Sequence, residues 1–289
     1  MSEQAIKKIL ITGANGFIGG SLMRYYQNHG QDVVGVDLIG NGNDIVEGDV
    51  SQPNTISQQL QECDVIIHTA ALVSNAMQDS DMWQVNVLAT RNLIQAAKEH
   101  KVRRFVQISS IVAYGNSAEG ELDETHPVHA DGGSYVLTKL ASEHVVLSEQ
   151  ANDDIEVVII RPGDAYGPGS RPWIIAPLEA IAKNQFMLPE KGEGFFRPIY
   201  IDDLVRGIAM ASKHPDADGE IFNLSCEGYM FTKDYFTPHY QWLGKKRPLV
   251  VSTNLALKIS AIASKLANLM GNLNEASPST VKQLSTKSW

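Results

Sequence analysis

Residues 12–19 read Thr-Gly-Ala-Asn-Gly-Phe-Ile-Gly, a Gly-x-x-Gly-x-x-Gly run. It stands between a short β-rich segment, residues 8–12, and helical patterning over about residues 16–29. Backbone can approach a pyrophosphate only where no Cβ intrudes, and a helix starting there offers free N–H donors and the positive end of its dipole. The strand–turn–helix setting turns a plain glycine run into a dinucleotide-binding pattern. It constrains the chain to an α/β fold, with Gly13, Asn15, Gly16, Phe17, Ile18 and Gly19 as candidate cofactor contacts. Asp37 closes the next β-rich segment, about 20 residues past the glycines, where a carboxylate accepts hydrogen bonds from both ribose hydroxyls. The same charge repels a 2′-phosphate, and no arginine adjoins it, so the expected cofactor is NAD rather than NADP. Asp49 and Val50, after a short strand at residues 45–47, are candidates for bracketing the adenine.

The alternation continues beyond that point. β-rich runs at residues 32–37, 64–68, 104–109 and 156–161 alternate with helical stretches at 56–61, 83–99 and 134–150. Such βαβ units predict a parallel sheet, here a Rossmann-type doubly wound one. The pattern changes after Arg161, where Gly and Pro cluster over residues 162–172. A helix near 174–184, a strand at 198–201 and a helix from 202 to about 212 follow. The expected organisation is an NAD-binding domain over residues 1–165. A smaller, mostly C-terminal substrate-binding region spans 166–289, with some segments returning to the first domain. Leu255, Ile259, Ile262, Leu266 and Leu269 repeat at helical spacing, with Lys258 and Lys265 placed on the other side. A helix docked on its own domain by that stripe is the expectation, with a lipid- or partner-facing helix as the alternative.

Composition removes several function classes. The formal charge of −9, from 24 basic and 33 acidic residues, argues against a nucleic-acid partner. The only cysteines, Cys63 and Cys226, are far apart, which fits a reducing compartment. No signal-peptide core or transmembrane run is present, so a cytoplasmic protein is expected. No His/Cys/Asp cluster has metal-ligand spacing, and no metal is expected. His68 reads as a packed histidine.

Tyr135 and Lys139 form a Tyr-x-x-x-Lys pair on the helix at 134–150, and residues four apart share a helix face. A free phenol titrates near ~10, and a neighbouring cation favours the phenolate. With the glycine turn in the same chain, the sequence resembles the extended short-chain dehydrogenase/reductase superfamily. That branch holds nucleotide-sugar epimerases and enzymes similar to 3β-hydroxysteroid dehydrogenase. The resemblance covers about residues 8–225. It includes Ile67-His68-Thr69-Ala70-Ala71, Asn86 in Val85-Asn86-Val87, and Ser109-Ser110 leading to Tyr114-Gly115. Arg161-Pro162, Tyr166-Gly167-Pro168-Gly169 and Ile201-Asp202-Asp203-Leu204 complete it.

The resemblance implies Tyr135 as general acid/base on the substrate oxygen and Ser110 as its hydrogen-bonding companion, with Ser109 ranked second. It implies Lys139 as the residue that holds the nicotinamide ribose and lowers the Tyr135 pKa. Thr69, Ala70, Ala71, Asn86, Pro162 and Gly163 join the expected cofactor contacts. Loss of hydride from a carbinol carbon requires the hydroxyl proton to leave as well, which is the chemistry such a pair serves. A homodimer is also implied. The family's closing segment usually runs further, so Trp289 is expected to mark a truncation or a tail with no closing element.

Dehydratases of this family carry Thr and an acid pair where this chain has Ser110-Ile111-Val112, so sugar 4,6-dehydration is not expected. Nucleotide-sugar enzymes place an arginine seven residues before the second Asp of the Asp-Asp-Leu motif. Here Phe196 holds that place and Arg197 is one residue late, a shift that turns a strand side chain to the other face. The candidate substrate contacts are Val73, Ser110, Arg171, Trp173 and Arg197. Trp173, Phe186, Phe195, Phe196, Tyr229, Met230 and Phe231 offer apolar surface for a lipid-like alcohol, or simply a core. Three functions stay open: an NAD-dependent, hydroxysteroid-dehydrogenase-like oxidoreductase acting on an alcohol or ketone; a UDP-hexose-type epimerase that keeps its NAD; and a non-catalytic NAD-sensing scaffold. The intact Ser110, Tyr135 and Lys139 set weighs against the third.

Overall fold

The computed structural model describes residues 6–74, 77–151, 154–270 and 276–289. In chain order the first half holds β1 (Ile9–Thr12), α1 (Phe17–Asn28), β2 (Val33–Asp37), β3 (Ile45–Glu47), α2 (Ser57–Glu62) and β4 (Val65–His68). It continues with α3 (Asp79–Trp83), α4 (Ala89–Glu99), β5 (Arg104–Ile108), β6 (Glu119–Gly120), α5 (Ser134–Gln150) and β7 (Glu156–Pro162). The second half holds β8 (Asp164–Tyr166), α6 (Ala176–Ala182), β9 (Phe195–Phe196), β10 (Pro198–Tyr200), α7 (Ile201–Lys213) and β11 (Ile221–Leu224). Last come β12 (Met230–Phe231), α8 (Thr232–Trp242), α9 (Thr253–Leu269), α10 (Pro278–Gln283) and β13 (Lys287–Ser288).

Seven strands form one sheet in the order β11-β7-β5-β4-β1-β2-β3, with every pairing parallel. Alternate residues of each central strand enter different cores, as the two-residue period of a strand requires. Ile9, Ile11, Val65, Ile67, Val106, Ile108, Val158 and Ile160 face α1 and α7 through Leu22, Tyr26, Leu204 and Ile208. Leu10, Ile66, Phe105, Val157 and Ile159 pack on the other side with Leu60, Leu93, Ile94 and Val146. Buried Arg104 donates to the Ala211 and His214 carbonyls at the end of α7, satisfying acceptors the helix leaves open. The helix expected over residues 83–99 starts at Asp79 and passes through a π turn, Gln84–Leu88, before α4.

The second half is built on aromatics. Phe196, Tyr235, Phe236, Leu188 and Leu284 form its core, with Tyr166, Trp173 and Phe186 against it. Phe195 stacks on Tyr229 at 3.7 Å, and Trp289 closes on both rings. The tail therefore does have a closing element: β13 pairs with β6 from the first half, and Thr286 accepts from the Phe195 N–H. The docking expected for α9 is reversed. Ala256 and Ser260 are its buried positions, while Leu255, Ile259, Ile262, Leu266 and Leu269 are exposed. A small-residue face lets the helix lie close to its neighbours, and the large apolar side chains point outward. Both cysteines are free, Cys63 buried and Cys226 exposed. Among the described residues, no helix is long and apolar enough to cross a membrane, and no group of His, Cys, Asp or Glu could hold a metal ion.

Candidate active site

β1 is hydrogen-bonded to β2 on one side and β4 on the other, so the strand order reverses beside it and leaves a crevice at the strand ends. The glycine turn follows β1 there. Gly13 has φ +67°, and a Cβ on it would meet the Ala70 backbone at 2.8 Å. A Cβ on Gly19 would lie 2.2 Å from the Gly13 carbonyl oxygen. The loop after β4, residues Thr69 and Ala70 in particular, thus rests directly on the turn. Thr69 donates to the Thr12 carbonyl at 2.6 Å. Helix α1 begins with no side-chain cap and no acidic residue in its first turn, leaving its amino end to an anion. Phe17 and Ile18 open that helix. Asp37 accepts the Asn15 N–H at 2.9 Å and the Leu38 N–H at 2.8 Å, which fixes its carboxylate at the crevice rim. Uncapped donors, glycines without room for a side chain and a carboxylate at the rim together fit a dinucleotide.

A buried relay runs from this turn to the Tyr135 helix. His68 is 1% exposed, with Nδ1 2.7 Å from the Thr12 hydroxyl and Nε2 3.0 Å from the Thr90 hydroxyl. Thr90 spends its proton on the Asn86 carbonyl at 2.8 Å, so it accepts from Nε2–H, and Nδ1 accepts from Thr12. Burial pushes the His68 pKa down to about 3, helped by nearby Lys139. Asn86 binds the Leu72 N–H and carbonyl and donates to Thr138, whose hydroxyl reaches the Tyr135 carbonyl. Asn86, expected as a cofactor contact, holds the loop after β4 to α5. Asp49 and Val50 follow β3. The Asp49 carboxylate caps its own turn through Ser51 and Gln52, and Val50 lies in the core beneath the sheet.

Ser110 and Tyr135 come together, close enough for the serine hydroxyl to act on the phenol's acidity. Ser109, one residue earlier on the opposite face, is tied to the Glu143 carboxylate. Burial pushes the Tyr135 phenol up to about 12; Ser110 opposes the shift and the Asp164 charge adds to it. The expected lowering by Lys139 is not what this arrangement produces. The Lys139 ammonium donates to the Ile108 carbonyl at 2.8 Å, and burial brings its own pKa down to about 8 against the pull of Glu143. The Glu143 carboxylate accepts from Arg161 Nε and Nη2, at 3.0 and 2.7 Å, in a pair buried on both sides. The Arg161 guanidinium lies 4.7 Å from the Tyr114 ring centre. Glu143 was not among the expected site residues, although an acid four residues past Lys139 on the same buried helix face was its signal. Thr90 and Thr138 carried no signal beyond helical spacing.

Pro162 and Gly163 end β7, and a Cβ on Gly163 would lie 2.4 Å from the Arg197 carbonyl. The substrate candidates are scattered. Val73 is 60% exposed on the loop after β4. Arg171 is exposed and pairs with Glu179 at 3.4 Å. Trp173 packs edge-on to Phe196, and its carbonyl accepts from Tyr235 and His239. Arg197 is turned into the protein, 3.8 Å from Asp164 and bonded to Ser288 at 3.2 Å. Its backbone N–H also donates to Asp164, at 2.9 Å. Phe186, Phe195, Phe196, Tyr229 and Phe231 spend their rings on one another and on α8.

The pattern of the "NAD dependent epimerase/dehydratase family" matches residues 9–225. The chain is 27% identical over 267 residues to sterol-4-alpha-carboxylate 3-dehydrogenase, decarboxylating, of Candida albicans, covering 84% of this chain and 74% of that protein. It is 29% identical over 236 residues to UDP-glucose 4-epimerase of Vibrio cholerae, covering 76% and 70%. Among solved structures it resembles UDP-glucuronic acid 4-epimerase from Bacillus cereus in complex with NAD. That likeness has a TM-score of 0.75 and 27% identity over 85% of this chain and 87% of that one. With the pattern spanning the glycine turn, the Tyr135 helix and β11, this chain belongs to the NAD-dependent epimerase/dehydratase family of enzymes.

Proposed function

We propose that this chain is an oxidoreductase for a lipophilic secondary alcohol or ketone, with Ser110, Tyr135 and Lys139 as its working residues. Arg197 carries the reading. A nucleotide-sugar enzyme needs a cation free for the diphosphate, and this one is buried against Asp164 and Ser288. The likeness to a sterol dehydrogenase over most of the chain points the same way. NAD bound in the crevice would supply the hydride acceptor or donor. Tyr135, held as a neutral phenol, gives its proton to a ketone oxygen, and Ser110 shares the hydrogen bond to that oxygen. In the oxidising direction the phenol must first lose its proton, so alcohol oxidation accelerates as pH rises. Lys139, anchored on Ile108, sets a positive charge beneath the pair and would hold the nicotinamide ribose. Asp37 would hold the adenosine ribose.

The second reading is a sugar-nucleotide epimerase. Its support is Arg171, exposed and held only by a surface pair with Glu179, and free to turn toward a phosphate. Turnover of the cofactor separates the two. A panel of hydroxysteroids and UDP-sugars is scored for NADH release and product. Stoichiometric NADH with a steroid alcohol supports the oxidoreductase, while sugar interconversion without net NADH refutes it. Tyr135→Phe should abolish turnover and leave NAD binding intact; an active variant would sink the assigned roles.

A further inference from the structure

Helix α9 shows its large side chains to solvent. Leu255, Ile259, Ile262, Leu266 and Leu269 are 48, 42, 62, 54 and 84% exposed. Their spacing of four, three, four and three residues keeps them in one stripe along a helix of about 25 Å. Large apolar side chains are exposed in the preceding segment as well: Trp242, Leu243, Leu249 and Val250 are 64, 39, 59 and 44% exposed. Lys258 and Lys265 are exposed and, at about 3.6 residues per turn, border the stripe rather than oppose it. That differs from the placement expected from sequence.

Charge decides what covers this face. Between Asp234 and Glu275 the sequence holds Lys245, Lys246, Arg247, Lys258 and Lys265 and not one acidic residue, in a chain of net charge −9. Lys246 and Arg247 are exposed in the turn ahead of α9. Both lysines lie on one edge of the stripe, so a second copy packed antiparallel would bring the lysines of both helices together along one side of the seam, with no acid to answer them. An anionic lipid surface answers both features. Its acyl boundary accepts the apolar stripe, its headgroups pair with lysines that snorkel from the stripe's edge, and Trp242 suits the interface.

We propose that α9 and the basic segment before it dock this enzyme, in the plane of the surface, on membranes rich in anionic lipid. The proposal does not depend on which substrate the site takes. The test is co-sedimentation of the full chain with vesicles of phosphatidylcholine alone or mixed with phosphatidylglycerol. Binding is expected on the anionic vesicles only, falling as salt rises. Each basic group near such a surface is worth about fivefold, so Lys258→Glu with Lys265→Glu should weaken partition about 25-fold or more. Ile262→Glu with Leu266→Glu should remove it. Both pairs are exposed, and unchanged NAD affinity and melting temperature verify the fold. Absence of binding, equal binding to neutral vesicles, or binding that survives both pairs overturns the proposal. So does a dimer that the apolar pair dissociates while the unaltered chain ignores vesicles.

Discussion

Lowering the pH should destabilise this protein through His68 in particular. The ring is buried, its Nε2–H goes to Thr90, and its Nδ1 accepts from Thr12. Protonation puts a charge where no carboxylate pairs with the ring and replaces an acceptor by a donor aimed at the Thr12 hydroxyl. The folded pKa is about 3 against 6.5 for the free side chain. Between those values the unfolded chain binds the extra proton and the folded one does not, so stability rises with pH across the window. The contribution is full above 6.5 and is lost as pH falls toward 3. Each unit is worth about 1.4 kcal/mol, so going from pH ~7 to ~4.5 should remove about 3 kcal/mol. Urea unfolding at both pH values, in the wild type and in His68→Gln, isolates the effect. Other acid-sensitive groups act in both proteins and cancel in the difference. The wild type should lose about 3 kcal/mol more than the variant; equal losses would refute the assignment of a neutral, relay-bound ring.

Three further perturbations test the crevice and its support. Gly19→Ala drives a methyl into the Gly13 carbonyl, and should cost about 1–3 kcal/mol by overpacking and lower NAD affinity; an unchanged titration contradicts the cradle. Glu143→Gln leaves the Arg161 guanidinium buried without its counter-charge, costing about 3–5 kcal/mol in urea unfolding, and lowers the Lys139 pKa further; a loss under about 1 kcal/mol rejects the pair as a structural anchor. Asp37 opposes a 2′-phosphate at about 1 kcal/mol per charge at ~4 Å in water, so NAD should bind about 30-fold more tightly than NADP. Asp37→Ala should narrow that ratio, and equal affinities in the unaltered protein would dismiss the assigned role.

The features legible in the sequence were those written in consecutive residues. The glycine turn, Asp37 and the Tyr135/Lys139 spacing each sit within one turn or at one strand end, where local geometry determines what the residues face. The core strands were legible because parallel strands covered on both faces read as unbroken apolar runs. What escaped depends on distant partners. β11 is four residues long and half-buried, and only its place beside β7 makes it a strand. α8 carries Pro238 in its interior, which removes a helix hydrogen bond and hides the pattern. The outward stripe of α9 follows from which of two faces found neighbours, a matter of tertiary packing. Arg197 was foreseen as displaced by one residue, but its burial on Asp164 and Ser288 required residues far along the chain.

The place of β11 bears on how this protein can be dissected. Residues 221–224 complete the sheet beyond β7, and α7 covers the face that α1 shares. A fragment ending near residue 165 would keep the nucleotide turn and Tyr135, yet its last strand would become an open edge and Leu22 and Tyr26 would lose their cover. An uncovered hydrophobic edge strand is a template for aggregation. The fragment that holds the whole dinucleotide crevice should therefore precipitate when produced alone, and a minimal version would have to extend past Leu224.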